Sequence, residues 1–161
     1  MIGEMPVISQ LLSDGAIVAP MSAGSKREIL DGLLDIACEN RLVSDCAGVR
    51  KAVFDREAQM STGVGRGLAL PHARTDAVSG TVAVMAVLEH PADYDSLDGE
   101  PVQLVFLLIG PRKDTSRHIR ILSRVSRMMS DDNARDRILS SRTREQALES
   151  IAELESSLFA E

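Results

Sequence analysis

Aromatic residues are scarce in this sequence of 161 residues, which has three Phe, one Tyr and no Trp. The core must therefore be built from aliphatic residues and Met, which is feasible because a chain of about 150 residues buries most of its surface on folding. Proteins that bind single-stranded nucleic acid stack its bases on aromatic rings, so the composition argues against that function. The formal net charge of −6 argues the same way, because an acidic protein repels a phosphate backbone.

Other absences narrow the class of protein further. No apolar run reaches the ~20 residues needed to cross a bilayer, and the N-terminus lacks the segments of a signal peptide. We therefore expect a cytoplasmic protein without membrane insertion. Cys38 and Cys46 have neither the spacing of a CxxC redox pair nor that of a zinc site. Cys38 falls in an apolar helical stretch and is expected to be a plain core residue, and nothing indicates an oxidising compartment.

Helical patterns flank a central region of strands. Apolar spacing and capping residues predict helices over 25–39, 45–57, 116–129, 132–139 and 143–157. Continuous apolar runs at 81–88 and 102–109 predict strands covered on both faces. Shorter strands are expected at 16–19 and from Leu68, the latter ended by Pro71. With no linker or internal repeat, we predict a single-domain α/β sandwich, residues 1–161, with a central mixed β-sheet flanked by helices on both faces.

His72 is the histidine with the most informative surroundings. It directly follows Pro71, a glycine-rich loop at 61–67 precedes the short strand, and Arg56 and Arg74 lie nearby in sequence. A histidine that accepts a phosphoryl group needs a neutral attacking nitrogen, a bond that fixes its tautomer, and donors for three phosphoryl oxygens. The segment contains all of these residue types. From the residues alone, a satisfied surface or core histidine is the alternative interpretation.

The other two histidines are less informative, and no role is assigned to His90. His118 lies in the first turn of a predicted helix, on its apolar face, so a partly buried histidine with one backbone partner is the simpler interpretation. An anion would also be favoured near that helix N-terminus. The glycine-rich loop is not a dinucleotide fingerprint, because it follows a helix and enters a strand. Four arginines on another face of this helix predict either a solvated face or a docking site for an acidic partner: Arg117, Arg120, Arg124 and Arg127.

The central segment resembles a known signature. Arg56-Glu57, followed by Ser-Thr-Gly-Val-Gly-Arg-Gly-Leu-Ala-Leu-Pro-His-Ala-Arg at 61–74, is similar to the motif of type-2 enzyme IIA proteins of the bacterial phosphotransferase system, the fructose, mannitol and nitrogen-regulatory family. Residues 98–111 and 118–127 resemble later segments of the same family. The resemblance runs from the helix at Ser25 to the last helix. Small departures inside the motif affect packing and leave the implied chemistry intact.

The resemblance implies a phosphocarrier that takes a phosphoryl group on Nε2 of His72 from a phosphohistidine of the carrier HPr or a paralogue. It implies that Arg56 and His118 contact the phosphoryl group as catalytic residues. The loop before the strand is implied to shape the pocket and bind phosphate through Thr62, Gly63 and Gly65. No cofactor and no metal ion are expected, because the donor is a phosphoramidate rather than a nucleotide.

Three functions remain open at this stage. The absence of a fused transporter or HPr domain favours a nitrogen-type regulator, whose phosphorylation state controls its binding to target proteins. The first alternative is a sugar-specific enzyme IIA that passes its phosphoryl group to a cysteine of an enzyme IIB. The second is a non-catalytic module that senses an anion, in which His72 is never covalently modified.

Overall fold

The computed structural model describes residues 7–159, so both ends of the predicted 1–161 domain lie outside the described residues. The helices are α1 (Ile8–Asp14), α2 (Lys26–Glu39), α3 (Cys46–Gln59), α4 (Thr115–Met129), α5 (Asp132–Leu139) and α6 (Arg144–Leu158). The strands are β1 (Ala16–Met21), β2 (Gly63–Gly65), β3 (Leu68–Ala69), β4 (His72–Arg74), β5 (Val82–Ala92) and β6 (Val102–Gly110). A 3-10 turn at Arg112–Asp114 leads into α4. Among residues 7–159, every helix is too short or too polar to span a lipid bilayer.

The strands form one mixed sheet around β6. Their order is β1-β5-β6-β3-β2, and β4 also pairs with β6, beyond the end of β3. β5 runs antiparallel to β6, and β2 runs antiparallel to β3. The pairs β1 with β5, β3 with β6 and β4 with β6 are parallel. The predicted mixed sheet is thus confirmed.

Helices cover the sheet on both sides. Alternate residues of β5 enter different cores, with Val84, Ala86 and Leu88 on one face and Ala83, Met85 and Val87 on the other. The first face packs against α2 and α3, and the second against α1, α4, α5 and α6. Because both faces are covered there, residues 83–88 of β5 and 104–109 of β6 are apolar without alternation. This confirms the predicted α/β sandwich.

Capping residues start the helices where the sequence predicts. The Oγ atom of Ser25 accepts a hydrogen bond from the Glu28 backbone N–H at 3.2 Å. The Glu28 carboxylate reaches one residue further back than a standard capping box, to the N–H of Gly24 at 2.8 Å. α6 has the same arrangement, with Thr143 as the cap and Gln146 accepting from the N–H of Arg142 at 2.8 Å.

Two predictions are wrong. Pro71 interrupts the short strand rather than ending it, because the chain pairs with β6 again from His72. The Pro71 carbonyl accepts from the Leu108 N–H at 3.0 Å, which holds the interruption against the sheet. Cys38 is not a plain core residue: it is half-buried and forms a disulfide with Cys46, across a Cα–Cα distance of 6.1 Å. The sequence spacing did not predict this disulfide. The turn after α2 brings the two cysteines together.

A buried carboxylate joins the N-terminal and C-terminal helices. Glu155 of α6 is 4% exposed and accepts hydrogen bonds from the N–H groups of Ile8 at 2.6 Å and Ser9 at 3.1 Å. These are the first N–H groups of α1, which have no partner within their own helix. Nε of Arg124 donates to the same carboxylate at 2.9 Å and balances its charge. α1, α4 and α6 therefore meet at one ion pair.

We predict that Glu155→Ala lowers the free energy of unfolding by about 3 kcal/mol, because it leaves a half-buried arginine and two helix N–H groups without a partner. The matched control is Glu153→Ala on the same helix. Glu153 pairs with Arg137 at the surface, where both side chains are about half exposed, so the expected loss is about 0–1 kcal/mol. Urea unfolding of both variants measures the difference, and equal losses would contradict the prediction.

Candidate functional site

The sheet register brings two distant histidines together. In the parallel pair of β4 and β6, His72 lies opposite Leu108 and Arg74 lies opposite Gly110. β6 ends at Gly110, and α4 begins shortly afterwards at Thr115, so its first turn lies beside the end of β4. The rings of His72 and His118 consequently lie 5.4 Å apart between centroids, with their planes at 59°.

The tautomer of His72 follows from one hydrogen bond. Nδ1 lies 2.8 Å from the backbone carbonyl oxygen of Leu70. Because a carbonyl can only accept, Nδ1 must carry the hydrogen, and the lone pair of the neutral ring is then on Nε2. Burial lowers the pKa of His72 below its ordinary value; Arg56 and Arg74 act in the same direction, while Leu70 opposes them. The ring is therefore neutral and nucleophilic at neutral pH.

A positively charged cleft lies beside this ring. Its volume is about 540 Å³, and three arginines, Arg56, Arg74 and Arg112, line it together with His72. Nη1 of Arg56 donates to the Met60 carbonyl at 2.9 Å, and Nη1 of Arg74 donates to Oγ1 of Thr115 at 2.5 Å. The remaining lining residues are Ala52, Asp55, Gln59 and Ala73.

Arg112 is a lining residue that sequence reasoning missed. It lies in the 3-10 turn between β6 and α4, outside every motif segment that surrounds His72. The sequence could have indicated Arg112 through the position at which β6 ends. That position matters for the cleft because β4 pairs with β6. Arg112 adds a third cation to the cleft, where an anion with several oxygens would lie.

His118 is buried and has unsatisfied ring nitrogens. Its residue exposure is 4%, and neither nitrogen has a hydrogen-bond partner within the described residues. The expected single backbone partner is therefore not what the structure shows. An ideal Cβ on Gly110 would lie 3.2 Å from Nδ1, so the absence of a side chain there makes room for the ring. Burial lowers the pKa of His118 to about 4, with His72 and Arg74 contributing in the same direction.

A hydrogen-bond network fixes the loop before β3. Glu57, next to Arg56, is 7% exposed. Its Oε2 accepts from the Thr62 N–H at 2.8 Å and from Nζ of Lys26 at 2.9 Å. Its Oε1 accepts from the Thr62 hydroxyl at 2.5 Å and from the Tyr94 hydroxyl at 3.1 Å. This carboxylate therefore ties the end of α3 to the loop, to α2 and to the segment after β5.

The charge of Glu57 is stabilised by its donors. Burial alone would raise the pKa of Glu57, but the hydrogen bonds from Thr62 and Lys26 outweigh burial and hold the pKa below its usual value. Burial also raises the pKa of Tyr94, so its hydroxyl stays protonated and remains a donor. Sequence reasoning quoted Glu57 in the motif without a role, because its partners are distant along the chain.

The three loop residues expected to bind phosphate are placed beside this network. Both donors of Thr62 go to Glu57, and the N–H of Gly63 donates to Oγ of Ser61 at 3.1 Å. Gly65, with φ of +106°, is the last residue of β2 and pairs with Leu68 of β3 across the hairpin turn. In the described part of the chain, none of the three lines the cleft beside His72. Their position supports a shaping role, and direct phosphate binding stays a prediction.

Comparison with known proteins shows the same fold and related sequences. A crystal structure of the nitrogen regulatory protein IIA-Ntr from Neisseria meningitidis superposes with a TM-score of 0.81 at 28% identity, covering 91% of this chain and 99% of that one. The nitrogen regulatory protein of Pseudomonas aeruginosa is 30% identical over 138 residues, 86% of this chain and 90% of the relative. A fructose-specific EIIA component from Haloferax volcanii is 32% identical over 130 residues, 81% of this chain and 84% of the relative.

A family model covers most of the chain. Residues 10–154 match the family described as "Phosphoenolpyruvate-dependent sugar phosphotransferase system, EIIA 2". The match includes His72, His118 and the arginines of the cleft, as well as nearly all of the elements that position them. The chain therefore belongs to the type-2 enzyme IIA family of the phosphoenolpyruvate-dependent phosphotransferase system.

Proposed function

We propose that this protein is a cytoplasmic phosphocarrier that accepts a phosphoryl group on Nε2 of His72 from phosphorylated HPr or a paralogue. The bond from Nδ1 to the Leu70 carbonyl carries the proposal, because it leaves the lone pair on Nε2 of a neutral ring. The three arginines of the adjacent cleft supply charge for the phosphoryl oxygens. Membership of the enzyme IIA family supports this assignment.

The chemistry needs positioning and charge rather than further covalent steps. The phosphorus–nitrogen bond of the donor phosphohistidine breaks as the bond to Nε2 of His72 forms, with the two nitrogens in line. The Leu70 bond fixes the ring before the donor arrives, which reduces the entropy lost in the transition state. Arg56 and His118 act as catalytic residues on the equatorial oxygens. Thr62 holds the loop before β3 to Glu57, and phosphate binding by Thr62, Gly63 and Gly65 is part of the proposal.

The physiological role that we favour is that of a nitrogen-type regulator. Relatives named as nitrogen regulatory proteins match 86% or more of this chain in Pseudomonas aeruginosa and in Neisseria meningitidis. The fructose-specific relative favours the sugar-specific role as a second candidate. The two roles differ in the acceptor, since only the sugar-specific protein passes its phosphoryl group to an enzyme IIB cysteine. Incubating the phosphorylated protein with a fructose-type enzyme IIB separates them, and rapid transfer would overturn the regulatory role.

We predict that enzyme I, HPr or a paralogue, and phosphoenolpyruvate add one acid-labile phosphoryl group to the wild-type protein and none to His72→Ala. Intact mass spectrometry measures the gain. The control is His90→Ala, since His90 is an exposed histidine of β5 that lies outside the cleft, and it should be modified as fully as the wild type. No gain with any HPr paralogue would favour the anion-sensing module instead.

We predict that Arg56→Gln lowers the rate of phosphoryl transfer by about 100-fold, the usual effect of removing one group that stabilises transition-state charge. Arg50→Gln is the matched control on the same helix, because Arg50 pairs with Asp31 at the surface and does not line the cleft. Rapid-quench kinetics with phosphorylated HPr measure both rates. A loss of similar size in the two variants would contradict the role of Arg56.

Two exposed apolar side chains lie close in sequence to residues of the site. Ile119 of α4, next to His118, is 60% exposed, and Met60 after α3, whose carbonyl holds Arg56, is 59% exposed. A single exposed apolar side chain needs no explanation. These two follow Arg56 and His118 closely along the chain, and exposed apolar side chains suit a surface that a donor protein covers. We therefore assign the docking of HPr and of the acceptor protein to the surface that includes Ile119 and Met60.

We predict that Ile119→Asp raises the KM for phosphorylated HPr about tenfold while kcat changes little, because the substitution removes apolar contact area without touching the reacting atoms. The control is Val7→Asp, which alters an exposed apolar residue just before α1. Steady-state transfer kinetics at varied donor concentration give both constants. An unchanged KM for Ile119→Asp would place the docking surface elsewhere.

A further inference from the structure

His118 is one of four residues within 7–159 that have buried side-chain polar atoms without a hydrogen-bond partner; Ser96, Arg120 and Ser141 leave one such atom each, and His118 leaves both of its ring nitrogens. Its two ring nitrogens lack hydrogen-bond partners within residues 7–159, whereas the buried carboxylates Glu57 and Glu155 each have several. Leaving a buried polar group unsatisfied is costly, and such groups are rare outside functional sites. The ring lies 5.4 Å from that of His72, within reach of a group carried on Nε2. The unsatisfied nitrogens thus lie beside the place where an anion would be added.

The charges around His118 disfavour a proton in the unmodified protein. β4 contributes His72 and the cation Arg74, and β6 contributes the backbone of Gly110. On its own element the nearest acid in sequence is Asp114, at the N-cap of α4. The N-terminus of α4 also carries a partial positive charge. An imidazolium would therefore be buried among positive charges, and the pKa of about 4 reflects first its burial and then these neighbours.

We propose that His118 takes up a proton from solvent when His72 is phosphorylated, so that its positive charge is present only while the phosphoryl group is bound. The inference rests on the proposed function and adds a regulatory property to the same site. The transferred PO₃ unit brings one net negative charge: because Nδ1 keeps its hydrogen, the His72 ring gains one positive charge and the three oxygens carry two negative charges. These oxygens can accept hydrogen bonds from the protonated His118 ring. The donor's phosphorus–nitrogen bond breaks, the bond to Nε2 of His72 forms, and one proton passes from water to His118.

The size of the effect follows from Coulomb's law. One negative charge at about 5 Å and an effective dielectric constant of about 20 raises the pKa of an imidazole by about 2 pH units. The pKa of His118 should therefore rise from about 4 to about 6 or above in the phosphorylated protein. Between these two values, phosphorylation consumes a proton. The equilibrium constant for transfer to His72 therefore falls as the pH rises, by up to about tenfold per pH unit.

The direct test is ¹⁵N NMR of the imidazole rings in the full chain, with phosphorylation maintained by enzyme I, HPr and phosphoenolpyruvate. In the unmodified protein, His118 should be neutral from pH 6 to pH 8. In the phosphorylated protein it should be protonated at the acidic end of this range. His90, which is exposed and does not line the cleft, is the internal reference, and its ring signals should be the same in both forms. A His118 ring that stays neutral at pH 6 in the phosphorylated protein would overturn the proposal.

A second measurement uses His118→Gln, which can still donate a hydrogen bond but cannot take up the proton. The equilibrium between phosphorylated HPr and His72 is measured from pH 5.5 to pH 8 for both proteins. The donor and His72 titrate in both, so the difference in slope isolates His118. A steeper fall with pH in the wild type supports the proposal, and equal slopes overturn it. Phosphorylation of His72 is checked by ³¹P NMR in the same samples, and its absence would refute the proposed function itself.

Discussion

The parallel pairing of β4 with β6 is the constraint on which the site depends. It aligns His72 with Leu108 and Arg74 with Gly110, so that the chain leaving β6 must turn past the end of β4. Arg112 and His118 follow within that turn and the first turn of α4, and both therefore lie beside the reactive ring. Without this register, the rings of His72 and His118 would not be brought together. β6 itself is held by β5 along nearly its whole length, which makes the register rigid.

The helix starts and the covered strands could be predicted because their signals lie within short segments of the sequence. The helices begin at Ser25, Asp45 and Thr143 because those side chains cap N–H groups three residues ahead, which is a property of short segments. The apolar runs of β5 and β6 identify covered strands for the same reason. His72 could be singled out as a candidate because the proline, the glycines and the arginines near it are close together along the chain.

What prediction missed depends on distant contacts. The strand resumes after Pro71 because β6 offers partners on the far side, and nothing within 68–74 encodes those partners. The disulfide of Cys38 and the position of Arg112 in the cleft likewise depend on turns, and the path of each turn is set by tertiary packing. The role of Glu57 depends on Lys26 and Tyr94, which come from other elements. Periodicity and spacing cannot reveal a buried carboxylate whose hydrogen-bond partners lie both earlier and later in the chain.

The contrast between Glu57 and His118 indicates what the site is built to do. Glu57 is a permanent charge whose donors are all in place, so the loop and α3 are fixed before any partner arrives. His118 has no hydrogen-bond partner within residues 7–159, and an incoming anion with acceptor oxygens would offset the cost of burying its ring. A carrier must hold its phosphoryl group and later release it, so permanent cations alone would favour retention. Charge that appears with the group and leaves with it stabilises the loaded state only where the proton is taken up, so release to an acceptor becomes more favourable as the pH rises.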